Sequence, residues 1–257
     1  MSLPNGLNTF SCKYIDIGDS FIHKKNSCGL SILFLNIQSL HAKFNELLCL
    51  LHILNYSFDI LVFVETWLTE FRNVGYTIDG YNSLHVYRNQ RGGGISVYFK
   101  SNITVNKIND LSGLFTTFES LFISINADAA RFYLGAIYRS GGSVDPFLDE
   151  FQNTILSHNY LRGNSILTGD FNLNLNQNTE SGCISSFVNL LRSFNFKQHI
   201  SLPTRVTPYS ATIIDHVWTN FSFPTKTALL NYKLSDHFPL LVNFSLEISK
   251  TSNSFYM

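Results

Sequence analysis

Charge is what this sequence has least of. Only 14% of its 257 residues are charged, and 18 basic side chains balance 18 acidic ones to a formal net charge of zero. It has no global basic footprint, so a polyanion partner must be met by a local patch or with help from a cation. Cysteine is scarce too. Cys12, Cys28, Cys49 and Cys183 show no C-x-x-C spacing, which argues against a zinc knuckle and for reduced buried thiols or incidental residues. No apolar run approaches the ~18 residues of a membrane span. The opening MSLPNGLNTFSCKYID lacks the basic-then-apolar order of a signal peptide. The expectation is a soluble intracellular protein with no membrane partner. Internal repeats, low-complexity blocks and Pro/Gly/Ser linkers are absent as well, so the chain reads as one domain, 29–247, between an N-terminal extension, 1–28, and a tail, 248–257.

Core material, by contrast, is ample, with 45% hydrophobic residues and 23 Phe. Leu30 to Asn36 is a compact apolar run that predicts a buried strand. His41 to Asn55 carries Phe44, Leu47, Leu48, Leu51 and Leu54 at helical spacing. Asp59 to Thr66 is a second buried strand, which completes a βαβ-like unit. Alternation over Tyr81 to Arg88 and Gly94 to Lys100 around NQRGG predicts a hairpin, and Phe118 to Asn126 with Arg131 to Arg139 predicts another around ADAA. Ile103 to Ile108 is a further candidate strand. Asp145-Pro146 reads as a helix start, with Asp145 as the cap. A strand ending in SILTGDFNLN follows, where Gly169 is expected to let the backbone turn. Then come a helix, Cys183 to Phe194, and two strands, Thr212 to Thr219 and Phe238 to Leu246.

Several of these strands begin or end on polar groups: Asn36, Glu65, Tyr138, Asp170 with Asn172, Asp215, and Asp236-His237. Strand ends are where an α/β sheet usually binds ligands. One such ending is an ordinary turn; six of them, carrying carboxylates, amides, a phenol and an imidazole, point to a site. These groups suit phosphodiester cleavage, which needs a hard cation, a positioned water and donors aimed at the phosphate oxygens. A Walker-type lysine is absent, and Arg91-Gly92-Gly93-Gly94 precedes a strand rather than a helix. That stretch reads as a flexible hairpin turn instead of a phosphate cradle.

The order LNIQSL, VETWL, IYRS, GDFN, IDH and SDHFPL resembles the endonuclease/exonuclease/phosphatase superfamily. More narrowly, ETWL, RGGGISVYF, LGAIYRS, ILTGDFN, TRV, IIDHVW and LSDHFPL resemble the apurinic-endonuclease-like domain of non-LTR retrotransposons of the CR1, L2 and Jockey type, from about Leu30 to about Leu246. The resemblance implies an α/β fold, a four-layered sandwich of two packed mixed β-sheets flanked by helices. It implies Mg²⁺, with Mn²⁺ as a substitute, held by Glu65 with Asn36 beside it and Asp236 in the metal shell or holding its loop. Asp170 would orient or deprotonate the attacking water, with His237 the alternative base, and Asn172 would contact the scissile phosphate or the metal shell. His237, held by Asp215, would hydrogen-bond a phosphate oxygen, as would Tyr138. The implied partner is duplex DNA, nicked on one strand to leave a 3′-hydroxyl primer. A reverse transcriptase or element RNA encoded elsewhere would use that primer, and the nucleus is the expected place.

Gln38 stands where the superfamily's repair enzymes carry an acid, which favours the element-type reading over abasic-site repair. Two other readings remain: a relative acting on abasic DNA, RNA or a small phosphate ester, and a degenerate or domesticated copy that binds nucleic acid without cleaving it. Arg88, Arg91, Arg139, Arg205 and Lys233 are the candidate phosphate contacts. His216 alternates to the opposite face from Asp215 and is expected to be structural, and Trp67 and Trp218 are expected to pack in the core or at the rim.

Overall fold

The computed structural model describes residues 12–23, 29–72, 75–89, 91–127, 130–176 and 182–245. Two seven-stranded mixed sheets dominate it. The first runs, edge to edge, Lys13–Ile15, Thr225–Leu230, Leu240–Phe244, Leu30–Asn36, Ile60–Val64, Ile95–Lys100 and Tyr81–Val86. The second runs Lys197–Gln198, Asp215–Thr219, Asn164–Asp170, Ala130–Tyr138, Glu119–Ala127 and Val105–Lys107, with Gly113–Leu114 also paired to Glu119–Ala127. The βαβ unit is present, since Leu30–Asn36 and Ile60–Val64 pair in parallel across the helix Leu40–Leu54. The two expected hairpins are also present, one in each sheet.

The pleat explains the layers. In Leu30–Asn36, Ile32 and Phe34 face the second sheet, where they join Leu121, Leu134, Ala136, Ile166 and Val217 in the central core. Leu33 and Leu35 point the other way, onto Leu47, Leu50 and Leu54 of the helix Leu40–Leu54. On the far side, Phe122, Ile137, Leu167 and Trp218 meet Phe147 and Phe151 of the helix Val144–Phe151, and Phe187 and Leu191 of the helix Cys183–Ser193. The result is the four-layered sandwich of helix, sheet, sheet and helices. Covered on both faces, the central strands lose the alternation of a half-exposed strand, and LSILFLN is buried at every position. Each fully buried Leu or Phe in these layers contributes roughly 2 kcal/mol by area.

Local differences from the sequence reading have local causes. Within the first 28 residues, Lys13–Ile15 forms the edge of the first sheet, parallel to Thr225–Leu230, a strand the sequence reading did not assign. The Lys24-Lys25 pair and the tail 248–257 lie outside the described residues. Asp145 is not the cap: Ser143 precedes the helix Val144–Phe151 and makes no side-chain cap bond, which leaves Asp145 in the first turn. The single strand expected over 212–219 is split. Ile213 and Ile214 donate their N–H groups to Asn174 Oδ1 and Thr204 Oγ1, so Ser210–Thr212 turns away into a small ribbon with Arg205–Thr207.

Candidate active site

Pairing register sets three of the polar groups in a row. Tyr138, Asp170 and Asp215 are direct partners across three neighbouring strands of the second sheet. By the period of two they share the inward face with Ala136, Thr168 and Val217. Asn36, two residues after the inward Phe34, meets this row from the first sheet. Its Nδ2 donates to Asp170 Oδ2 and to Glu65 Oε1, both at 2.9 Å. The rim where the two sheets meet is therefore closed by an amide between two carboxylates. Asn172 folds back over the row, with its N–H on Asp170 Oδ1 at 2.9 Å and its Nδ2 on the Arg139 carbonyl at 2.6 Å.

Gly169, just before Asp170, is needed for a different reason from the expected turn. Its φ lies outside the left-handed region, but a Cβ there would stand 2.0 Å from the Ile137 carbonyl oxygen. It allows two strands to approach closely.

Glu65 is held from the other side by the glycine stretch. Gly92, Gly93 and Gly94 all have positive φ. Gly93 and Gly94 accept the Trp67 and Thr66 N–H groups at 3.0 and 3.2 Å, while the Gly94 N–H donates to buried Glu119 at 2.6 Å. A Cβ at Gly93 would lie 2.2 Å from Glu119 Oε1. The stretch is thus a fixed backbone bracket behind Glu65, which corrects its reading as a flexible turn. Trp67 stands at the rim and donates Nε1 to Glu65 Oε2 at 3.3 Å, with the exposed Arg91 guanidinium 5.7 Å above its ring.

Among the described residues, the non-glycine positions with positive φ outside the site are Asn55, Asn89 and Asn195. At the site they are Gln38, Ser39, Glu65, Trp67 and Asn172. Asparagine tolerates that conformation, whereas Glu, Trp, Gln and Ser hold it at a cost, and such strain gathers at functional sites.

The loop Ser235-Asp236-His237 completes the centre. Ser235 Oγ donates to the Asn36 carbonyl at 2.7 Å, which pins the loop to the first sheet. His237 Nδ1 bonds Asp215 Oδ2 at 2.8 Å, and both residues are buried. Asp236 accepts from Gln38 Nε2 at 2.5 Å and from Arg205 Nε at 2.7 Å, which ties the loop to both residues.

Burial and like charge shape the protonation states. Asp170 is raised above the usual carboxylate range by burial and then by Asp215. Burial would lower His237, but the charge and hydrogen bond of Asp215, followed by Asp170 and Asp236, outweigh it and carry the imidazole up to about 9. Tyr138 is raised by burial, Glu65 and Asp170, and so stays a hydroxyl donor. For Asp236 burial pulls upward, but Arg205, His237 and Gln38 hold it below the ordinary value.

A divalent cation fits this donor set. Asn36 Oδ1 and Asp215 Oδ1 are buried acceptors without a hydrogen-bond partner. Asp170, Asp215 and His237 bring ligand atoms within 4.8 Å of one another. Carboxylate and amide oxygens are the ligands of a hard ion.

Asn36, Glu65, Tyr138, Asp170, Asn172, Asp215, Asp236 and His237 are thus gathered at one rim. The basic candidates are not alike. Arg91 and Lys233 are exposed. Arg88 sits 3.5 Å from Glu119 and Arg205 pairs with Asp236. Arg139 is 1% exposed and directs its guanidinium at backbone carbonyls, which removes it from the phosphate contacts. His216 is structural as expected: Nε2 bonds the Leu173 and Ile213 carbonyls, the ring stacks on Phe171, and burial lowers its pKa to about 4. Trp218 lies in the outer core. The sequence reading missed Glu119 and the Gln38–Asp236–Arg205 link. The three consecutive glycines were the available signal for the first; the second joins residues distant in sequence.

No curated protein matches the sequence. Solved structures match over most of its length. The endonuclease domain of TRAS1, a telomere-specific non-LTR retrotransposon, superposes with a TM-score of 0.63 at 13% identity, over 85% of this chain and 99% of that one. The Xenopus laevis APE2 catalytic domain gives 0.61 at 18% identity, over 87% and 94%. The 3′ phosphatase NExo from Neisseria, bound to product DNA hairpin, gives 0.59 at 14% identity, over 84% and 99%. At such identities these likenesses establish the fold. The family match runs over residues 33–237, from the first central strand to the histidine beside Asp215, and by it the chain belongs to the Endonuclease/Exonuclease/phosphatase family.

Proposed function

We propose that this protein is a divalent-cation-dependent endonuclease that nicks one strand of duplex DNA and leaves a 3′-hydroxyl, the primer for target-primed reverse transcription. Mg²⁺ is the proposed ion and Mn²⁺ its substitute. A reverse transcriptase or element RNA encoded elsewhere is the proposed partner, and the nucleus the place of action. The observation that carries the cleavage reading is the bond of Asn36 to both Asp170 and Glu65, which joins the two sheets at a rim also holding Asp215 and His237. The retrotransposon reading is supported by the ETWL, IYRS, GDFN and SDHFPL stretches and by Gln38 in place of an acid.

Glu65 and Asn36 would hold the cation, whose contribution is to offset charge on the phosphate oxygens. His237, with its pKa up to about 9, is protonated at neutral pH and serves as a donor to a non-bridging oxygen. Tyr138, kept protonated, donates likewise. The proton of the attacking water then goes to Asp170, whose affinity for it is raised by burial and Asp215. Water adds to phosphorus, the P–O3′ bond breaks, and the 3′-oxygen leaves with the electron pair of that bond and takes a proton from solvent to become the hydroxyl. Asn172 holds Asp170 in place through its N–H.

The test is relaxation of supercoiled plasmid with and without Mg²⁺, on the wild type, Asp170→Ala and His237→Ala. Metal-dependent nicking lost in both variants is expected, and an unchanged rate in either removes that residue from the site. Strong preference for an abasic duplex, RNA or a small phosphate ester at equal metal would replace the substrate. Tight DNA binding without cleavage would point to a copy that has lost activity.

A further inference from the structure

We propose that Arg139 is a positioning residue of this site, a buried clamp that fixes the Asp170–Asn172 loop against the turn leading into the helix Val144–Phe151. The inference rests on the endonuclease reading above. Arg139 directly follows Tyr138, and its N–H donates to the Asp170 carbonyl at 2.9 Å. Its Nη1 donates to the carbonyls of Phe171 and Asn172, each at 3.4 Å. Its Nη2 reaches the other side, to the carbonyls of Gly142 and of Ser143, the latter at 3.2 Å. Asn172 closes the circuit by donating Nδ2 to the Arg139 carbonyl at 2.6 Å.

Phe171, Asn172 and Gly142 lie outside helices and strands, and Ser143 is the residue that precedes the helix Val144–Phe151. Gly141 and Gly142 have φ of +97° and +94°, and Asn172 has φ of +48°. Both segments are irregular backbone; the second is also tied by the Phe171 N–H to the Ile214 carbonyl and by the Asn172 N–H to Asp170, but among the described bonds only the Arg139 guanidinium joins it to the first. A buried cation is costly unless its donors are satisfied. Among the described residues Arg139 makes no ion pair; four carbonyls serve Nη1 and Nη2, the Phe147 ring lies 5.2 Å from the guanidinium carbon, and Nε alone is left without a hydrogen-bond partner. A planar fork can span two loops where a lysine ammonium, a single point on a flexible stem, can serve only one. The loop it grips carries the proposed proton acceptor and the amide beside it, so the clamp acts on catalysis through Asp170 and Asn172 without touching the substrate.

Arg139→Lys and Arg139→Ala in the whole chain test this. In the plasmid assay kcat should fall by about 10²-fold, the loss expected from a ~1 Å misplacement of a reacting group. KM should stay within about twofold and the salt dependence of DNA binding should not change, because no phosphate contact is removed. Guanidinium ion in the low-millimolar range should restore part of the Arg139→Ala activity, and methylammonium should not. A raised KM with a flatter salt dependence would make Arg139 a DNA contact and overturn the proposal, as would unchanged kcat in both variants. If the wild type does not nick, the endonuclease reading fails. The clamp then stands or falls on amide hydrogen exchange of Arg139→Lys: faster exchange confined to 140–144 and 170–174 supports it, and unchanged exchange there refutes it.

Discussion

Gly169→Ala is the substitution that most directly probes how Asp170 is placed. An added Cβ would lie 2.0 Å from the Ile137 carbonyl oxygen and within 3.0 Å of the Ile137 carbonyl carbon and amide nitrogen. A relaxed contact needs about 3.5 Å, so the strands Ala130–Tyr138 and Asn164–Asp170 would have to part by roughly 1.5 Å. The obstacle is backbone, and backbone paired on both sides cannot swing aside as a side chain does. Overpacking in a close-packed interior costs about 1–3 kcal/mol. Each ladder hydrogen bond weakened on either side adds about 1 kcal/mol. We expect a loss of about 3 kcal/mol, which for a chain of this size lowers the melting midpoint by about 6–12 °C. Nicking should fall further than stability, because Asp170 is the next residue and moves with the strand. Thermal unfolding followed by circular dichroism reads the first effect and plasmid relaxation the second. Gly113→Ala is the control, since nothing lies within 4 Å of its added Cβ and its φ is not positive; it should stay within about 0.5 kcal/mol of wild type. A Gly169→Ala protein melting within about 2 °C of wild type would refute the close approach.

Two further outcomes are expected. Burial lowers both His85 and His199 from 6.5 to about 4, so the unfolded chain binds protons that the folded chain refuses between those values. Their contribution is complete above pH 6.5 and is lost as pH falls toward 4, by up to about 3 kcal/mol each. Urea midpoints of the wild type should therefore drop across that window, and a His85→Asn, His199→Asn double variant keeping the full slope would show that other groups carry it. Tyr209→Ala should leave stability within about 0.5 kcal/mol, because the ring is 97% exposed. If the ring stacks on a base, the same change should weaken DNA binding by about 1–3 kcal/mol in fluorescence anisotropy, and unaltered affinity would exclude that contact.

The layers were legible because burial on both faces leaves a plain signature. LSILFLN and DILVFV are apolar without alternation, the helix between them keeps an apolar stripe, and together they predict two parallel strands beneath a helix. What escaped was held by partners elsewhere in the chain. Lys13–Ile15 is three residues long and becomes a strand only because Thr225–Leu230 offers an edge. The split of the segment 212–219 depends on Asn174 and Thr204, neither of which marks that segment in its own sequence. Asp145-Pro146 looked like a cap and first helical residue, but the helix starts two residues earlier, at Val144, which puts Asp145 in the first turn.

The site was legible at its polar strand ends and illegible in what aims them. An apolar strand that finishes on Asn36 or Asp170 has crossed from core to rim with its side-chain parity intact, so residue type and position in the run suffice to nominate it. The direction of the carboxylates is set by groups that look unremarkable in the sequence. A glycine triplet read as a loose turn is the bracket behind Glu65. An arginine read as a phosphate contact is buried among carbonyls. A glutamine read as a lost acid holds Asp236. Each keeps a charge or an irregular backbone segment in one position, and none would be recognised by its own chemistry. The physical reason is common to all three. Asp170 and Asp215 are buried side by side, with one imidazole to offset them. Repulsion of that kind would spread the neighbouring strands Asn164–Asp170 and Asp215–Thr219 at the rim if the loops around it were free to relax. The rigid surround is what lets the fold keep carboxylates close together, and the same closeness gives Asp170 its raised proton affinity.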